Sequence, residues 1–175
     1  MSEGLTMALA APESAAMRFE ALYRANAAAL YAYVASLVHD RAAAEDITAQ
    51  AFERAFRRRR TFNPRRGSER AWLFGIARNA ALDELRRRAR QAALVVDPQD
   101  PQALDALDAS SADAERRAAV RAALAALEPR ERELVALKFH AGLSNAEIAK
   151  VLGVSESNAG TRLHRAVTKL REACT

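Results

Sequence analysis

The run Ser144-Asn145-Ala146-Glu147-Ile148-Ala149-Lys150-Val151-Leu152-Gly153-Val154-Ser155-Glu156-Ser157-Asn158-Ala159-Gly160-Thr161-Arg162-Leu163-His164-Arg165-Ala166-Val167-Thr168-Lys169-Leu170-Arg171 decides how the second half of the chain folds. Ser144 and Glu147 stand at capping-box spacing, each side chain able to satisfy the other residue's backbone N–H. The short helix they open, through Ile148, Ala149 and Leu152, stops at Gly153. Ser155 caps a longer helix in which Ala159, Leu163, Ala166, Val167 and Leu170 recur at helical spacing as the inward stripe. Two capped helices across the turn Leu152-Gly153-Val154 form the helix-turn-helix pattern. The opposite face carries Asn158, Thr161, Arg162, Arg165 and Lys169. A DNA major groove suits that set, with cations for phosphates and short polar groups for base edges. The Ser155 end also leaves backbone N–H groups free to face a phosphate. His164 lies beside this face, where it either reaches a base or stays in solvent. Gly160, in mid-helix, costs about 1 kcal/mol relative to Ala. The competing reading is a helical hairpin with a merely solvated basic face, but cap, turn, apolar period and charge all agree on DNA binding.

Working outward, Val120, Leu124 and Leu127 mark an earlier helix, and Pro129 suits the first position of the next. Gly142 ends that helix after Phe139 as a left-handed residue. This makes a four-helix domain over 113–175. Before it, residues 93–115 hold six acids and no base, with Pro98, Pro101, Ser110 and Ser111 among them. Proline blocks helix continuation and like charges repel, so 93–112 reads as an extended acidic linker. Upstream, residues 17–92 predict three helices. The first carries Phe19, Leu22, Tyr23, Leu30, Val34, Leu37 and Val38 at helical spacing and ends at His39-Asp40. The second, from about Ala42 to Arg60, carries Ile47, Ala51, Phe52, Ala55 and Phe56. A loop from Thr61 to Ser68 follows, and Ser68 is a good N-cap for a third helix running to about Ala89. Its apolar face is Leu73, Ile76, Ala77, Ala80, Ala81 and Leu85. Residues 1–16 read as an N-terminal tail. The fold class is therefore all-α, two small helical domains on a flexible tether.

Composition agrees and excludes. The chain has 175 residues, 50% hydrophobic and 28% charged, with only six Gly and five Pro. That is the balance of a foldable helical protein. Its single cysteine, Cys174, forms no internal disulfide, which removes a disulfide-built secreted fold. The apolar stretch Ala27–Val38 is too short to span a bilayer, and residues 1–17 lack a signal-peptide pattern. A cytoplasmic location, with no membrane insertion, is expected. The net charge is +5. Residues 1–92 contribute sixteen Arg against ten acids, and 116–175 eleven bases against six, so two basic blocks flank an acidic one. Such a distribution favours a polyanionic partner. His39, His140 and His164 are far apart and lack Cys or acidic partners at metal-ligand spacing, and no Gly-rich phosphate loop or nucleophile elbow is present. No metal, cofactor or catalytic residue is assigned.

Arg57-Arg58-Arg59-Arg60, with Arg65 and Arg66, puts six Arg within ten residues. Cations suit a helix C-terminus, but six exceed that need and favour a phosphate-binding surface. Phe62 and Trp72 lie beside them, and aromatics amid cations are a common way to hold single strands. For either ring alone, core packing is the competing role. Asn79, Asp83, Arg86 and Arg90 share one polar stripe of the third helix, where Asp83 can pair with Arg86 or Arg87.

The run Arg66-Gly67-Ser68-Glu69-Arg70-Ala71-Trp72-Leu73-Phe74-Gly75-Ile76-Ala77-Arg78-Asn79, continuing to Arg88, resembles region 2 of an extracytoplasmic-function (ECF) sigma factor, group 4 of the sigma-70 superfamily. So does Ala44-Glu45-Asp46-Ile47-Thr48 with Phe52. Leu143 to Ala149, Gly153 to Glu156 and Arg162 to Ala166 resemble region 4. The resemblance spans about residues 18 to 172. It implies a transcription-initiation subunit that binds the clamp and flap of core RNA polymerase, with an anti-sigma factor as a further partner. Region 2 of such proteins captures the melted non-template strand of the minus-ten element, and region 4 reads the duplex minus-thirty-five element. By position, Asp46, Gln50 and Phe52 fall on the clamp-facing helix. Arg60, Phe62, Arg65, Arg66 and Ser68 fall in the strand-capturing loop, with Asn79 nearby. Ser155, Asn158, Thr161, Arg162, His164 and Arg165 fall on the recognition helix. Two positions depart from the family pattern: Ala49 and Gln50 stand where Gln and an acid are usual, and Gly160 where Arg or Lys is frequent. The alternative is an autonomous helix-turn-helix regulator that binds duplex DNA as a dimer through its first block. A dimerisation module has little use for six Arg beside two aromatics.

Overall fold

The computed structural model describes residues 15–92 and 111–174, with side-chain surroundings for 18–92 and 115–174. The expected tail and nearly all of the acidic linker lie outside the described residues. Three helices form the first module: α1 (Ala15–Val38), α2 (Arg41–Arg58) and α3 (Glu69–Ala92). Four form the second: α4 (Ser111–Ala126), α5 (Pro129–Phe139), α6 (Asn145–Leu152) and α7 (Glu156–Ala173). No strand occurs among the described residues. α4 starts at Ser111, two residues inside the stretch expected to be linker.

The α1–α2 joint is made by two residues. His39 has φ +52°, and Asp40 returns to an extended φ of −146° so that its side chain accepts from the Ala43 backbone N–H at 2.9 Å. The other Asp40 oxygen takes Arg88 Nη2 at 3.0 Å, pinning the start of α2 to the end of α3. Between the three helices lie Leu30, Tyr33 and Val34 of α1, Ala44, Ile47, Ala51 and Phe52 of α2, and Leu73, Phe74, Ala77 and Ala81 of α3. Alanines at these contacts let the helix axes approach closely. Burying each large side chain contributes about 1.5–3 kcal/mol. The expected stripes mostly hold, but Tyr23, Phe56 and Val120 are exposed. Each lies at a helix margin, where a stripe read from spacing is wider than the partner helix that covers it.

In the second module Pro129 opens α5 at its first position, and Gly142 (φ +62°) and Gly153 (φ +68°) end α5 and α6 in the left-handed region. The Ser144–Glu147 capping box is formed in both directions. A second box, Glu128 with Glu131, opens α5. Arg132 does what a C-cap glycine does elsewhere. Its guanidinium donates to the carbonyls of Leu124 (3.0 Å), Ala125 (3.1 Å) and Leu127 (3.0 Å) at the end of α4. The modules meet where α3 packs on α6 and α1 on α5, and their buried residues form one continuous cluster.

Candidate nucleic-acid interface

The recognition helix is built by its cap and its apolar stripe. Ser155 Oγ accepts from the Asn158 backbone N–H at 3.2 Å, and Ala159, Leu163 and Ala166 are buried. That pins the opposite side outward, leaving Ser155, Asn158, Thr161, Arg162, His164 and Arg165 exposed along one face. Among the described residues neither Arg162 nor Arg165 enters an ion pair, so both charges are available to a polyanion. Lys169, expected on this face, is committed elsewhere. Its ammonium lies 2.6 Å from Glu131 Oε1, and this contact is the main reason the Glu131 carboxyl titrates below the ordinary carboxylate range. Gly160 sits where α7 crosses α6, and a Cβ there would meet Asn145 Nδ2 at 3.4 Å.

The arginine-rich loop is more ordered than its composition suggests. It winds through two single-turn 3₁₀ helices, Arg59–Thr61 and Pro64–Arg66. Asn63 caps the second by accepting from the Arg65 backbone N–H at 3.0 Å. Not all six arginines are uncommitted. Arg57 pairs with Glu53 at 2.7 Å, and Arg59 folds back 4.2 Å over the Phe56 ring while donating to the Phe56 carbonyl at 2.6 Å. Arg58, Arg60, Arg65 and Arg66 are exposed and free of ion pairs among the described residues. Phe62 packs against Trp72 with ring centroids 5.5 Å apart, both rings half-buried. Asn79 is exposed seven residues beyond Trp72, on the same side of α3. Ser68 caps α3 by accepting from the Ala71 backbone N–H at 3.1 Å. Its own hydroxyl donates to Glu147 of α6, and Lys150 Nζ donates to the Arg66 carbonyl at 3.0 Å. In this conformation the loop is thus held by the helix-turn-helix.

On α2, Asp46 and Gln50 are exposed. Phe52 is not on that surface. It is 5% exposed, with Phe19 edge-on at 6.4 Å and Tyr23 at 4.7 Å, and is core that fixes α2 on α1. Its place in the apolar stripe with Ile47, Ala51 and Ala55 agrees with this burial, whereas the family resemblance had set it among the clamp-facing residues. On α3, Asp83 pairs with Arg86 at 3.1 Å, whereas Arg87 joins Arg88 on Glu84. Those two guanidinium hydrogen bonds pull the Glu84 carboxyl down to about 2. Sequence reasoning missed Glu133, Arg70 and Arg132. An acid next to Leu134, in line with Leu137 on the buried side of α5, was the available signal for Glu133. No cluster of His, Cys, Asp and Glu suited to a metal ion occurs among the described residues. No described helix is long and apolar enough to cross a membrane.

Family models agree with this division of the chain. Sigma-70 region 2 matches residues 22–91 and Sigma-70 region 4 matches residues 117–170. The ECF RNA polymerase sigma factor SigL of Mycobacterium tuberculosis is 37% identical over 163 residues, covering 93% of this chain and 90% of its own. The chain belongs to the ECF sigma factors. Among solved structures, the sigma factor RpoE in complex with the anti-sigma factor NepR from Bartonella quintana is similar, with a TM-score of 0.76 and 25% identity over 89% of this chain and 96% of that one. CnrH in complex with the cytosolic domain of CnrY follows, with a TM-score of 0.61 and 27% identity over 88% and 85%. At that coverage these likenesses extend over both modules of this sigma factor.

Proposed function

We propose that this sigma factor binds core RNA polymerase, directs it to promoters and assists strand opening, with the labour divided between the two modules. α7 reads the duplex minus-thirty-five element through Asn158, Thr161, Arg162, His164 and Arg165, with the Ser155 end facing a phosphate. The loop residues Arg60, Phe62, Arg65, Arg66 and Ser68, together with Asn79, take the melted minus-ten strand. Asp46 and Gln50 face the polymerase clamp. The observation that carries this reading is the exposed, unpaired face of α7, a basic and short-polar strip opposite a buried stripe of Ala159, Leu163 and Ala166. The likeness of both modules to RpoE bound to an anti-sigma factor supports a similar protein as a partner, and a cytoplasmic site of action follows from that role.

The test is gel filtration of the purified chain with core RNA polymerase and no promoter. Co-elution at one-to-one stoichiometry is expected. A chain that elutes apart from polymerase yet shifts palindromic duplex DNA would overturn the reading in favour of an autonomous dimeric regulator.

A further inference from the structure

A cleft of 250 Å³ lies where the start of α5, the end of α6 and the first half of α7 face α3. Its wall is aliphatic. Leu134 and Ala159 are buried there, Leu152 is half-buried, and Val154, just past the turn of the helix-turn-helix, is exposed. Its charged groups are three arginines, Arg78 of α3, Arg130 of α5 and Arg162 of α7, against one acid, Glu133. That acid is already committed to Arg78, whose Nε lies 2.6 Å from its Oε1 and whose Nη2 lies 3.4 Å from its Oε2. The Tyr33 hydroxyl, on a fully buried ring, donates to the same Oε1 at 3.2 Å, which fixes the carboxylate on the α3 side of the cleft. Arg70, a further α3 arginine, steadies the same helix by donating to the buried Asn26 at 2.5 Å and to the carbonyls of Ala141 and His140 (3.5 Å). Arg130 and Arg162 are exposed and, among the described residues, enter no ion pair. Two positive charges therefore stand unanswered around one small apolar-walled space.

We propose that this cleft binds a diphosphate group, either free or carried by a nucleotide. Like charges that share a low-dielectric space repel, and an anion set between them turns that repulsion into attraction. A guanidinium presents a planar fork of N–H donors that matches phosphate oxygens two at a time, and Arg130 and Arg162 have all of theirs to offer. A diphosphate has two phosphoryl groups to meet two arginines on different helices, whereas a single phosphate has one. The volume is below the roughly 300–1,000 Å³ of ordinary drug-sized sites, which suits a compact anion. Glu133 repels that anion and so keeps it on the Arg130–Arg162 side, while Leu152 and Val154 offer an apolar surface to a base or sugar attached to it. An occupied cleft also takes Arg162 from DNA, so ligand and duplex compete for α7. This last consequence, though not the site itself, rests on the reading of α7 as the minus-thirty-five reader.

Calorimetric titration of the full chain with sodium pyrophosphate, in EDTA at fixed ionic strength, tests the site. One-to-one binding is expected, with inorganic phosphate about tenfold weaker because it cannot bridge the two arginines. Arg130→Gln should weaken pyrophosphate about tenfold, the loss of a charge-assisted contact. Arg90→Gln removes the same charge from an exposed position of α3 that does not line the cleft, and should change the affinity less than about twofold. Equal losses in the two variants mean a diffuse attraction to a basic chain and overturn the site, as does a titration without binding. Adenosine diphosphate separates the two sources: tighter binding than pyrophosphate assigns the cleft to a nucleotide, and equal or weaker binding assigns it to the free anion. Should Arg130→Gln lose helicity by circular dichroism, Val154→Glu, which sets a carboxylate in the exposed wall, gives the same reading, and undiminished affinity there refutes the proposal. Saturating pyrophosphate should also displace a labelled mixed-sequence duplex from the parent chain more than from Arg130→Gln. A chain that binds pyrophosphate in the cleft yet keeps its duplex retains the site and overturns Arg162 as a DNA contact.

Discussion

At the residue scale, Gly160 is the clearest case of a position whose meaning changes once its neighbours are known. Within the family pattern it stands where a cation is frequent, which casts it as a missing DNA contact. In the fold its missing side chain points to Asn145 of α6, at ordinary contact distance for a methyl group. Gly160→Ala is therefore expected to raise the unfolding free energy by about 0.5–1 kcal/mol, because alanine restricts the unfolded chain and the flexible Asn145 amide can yield. Urea denaturation measures this. DNA affinity should stay unchanged, and a loss of either stability or affinity would mean that α6 and α7 approach more closely than described. Phe52 teaches the converse. It was legible as important, but aromatic character on an amphipathic helix signals a docking surface and a core equally well, and only its contacts with Phe19 and Tyr23 decide for the core.

At the element scale, the helix boundaries were largely readable because they are set by local chemistry. Ser68, Ser144 and Ser155 cap the helices they were expected to cap, and Pro129, Gly142 and Gly153 punctuate as their backbones require. What escaped the sequence was the choice of side-chain partners, within a helix as well as between helices. Arg132 closing α4, Glu84 collecting two arginines and Lys169 turning towards Glu131 are choices among many cations and acids that spacing cannot rank. The last of these narrows the DNA-facing charge of α7 to Arg162 and Arg165. Replacing both with Ala should reduce the slope of log affinity against log salt for duplex DNA by about 1.8, at roughly 0.9 per phosphate contact. Fluorescence anisotropy across a salt series checks it, and an unchanged slope would take α7 off the phosphates. Lys169→Ala should leave the slope alone, since its charge is already answered by Glu131.

At the scale of the whole molecule, the two-module, all-α architecture was legible from the segregation of charge and the two helical blocks, whereas the docking of one block on the other was not. No periodicity announces that Glu133 and Arg78, 55 residues apart, share a buried contact. The stability also depends on pH. Burial, and then the Arg132 guanidinium, push the His39 imidazole below its ordinary 6.5, and burial does the same to His140. Both are bases with depressed values in the folded chain, so the unfolded chain binds more protons as pH falls through 6.5 and stability drops there. The thermal midpoint should fall between pH 7.5 and 5.5, and the profile should flatten in a His39→Gln, His140→Gln variant. The Glu84 cluster titrates far lower and does not contribute in that window.

The pairing of Ser68 with Glu147 has a consequence for how such a chain drifts over generations. Each of these side chains also caps its own helix, Ser68 opening α3 and Glu147 completing the box that opens α6. A substitution at either position therefore disturbs the entrance of a nucleic-acid element and the seam between modules in a single step. Neither can be traded away neutrally while the other stands, so across lineages the two sites are bound to a shared fate, and changes in one should arrive in company with changes in the other.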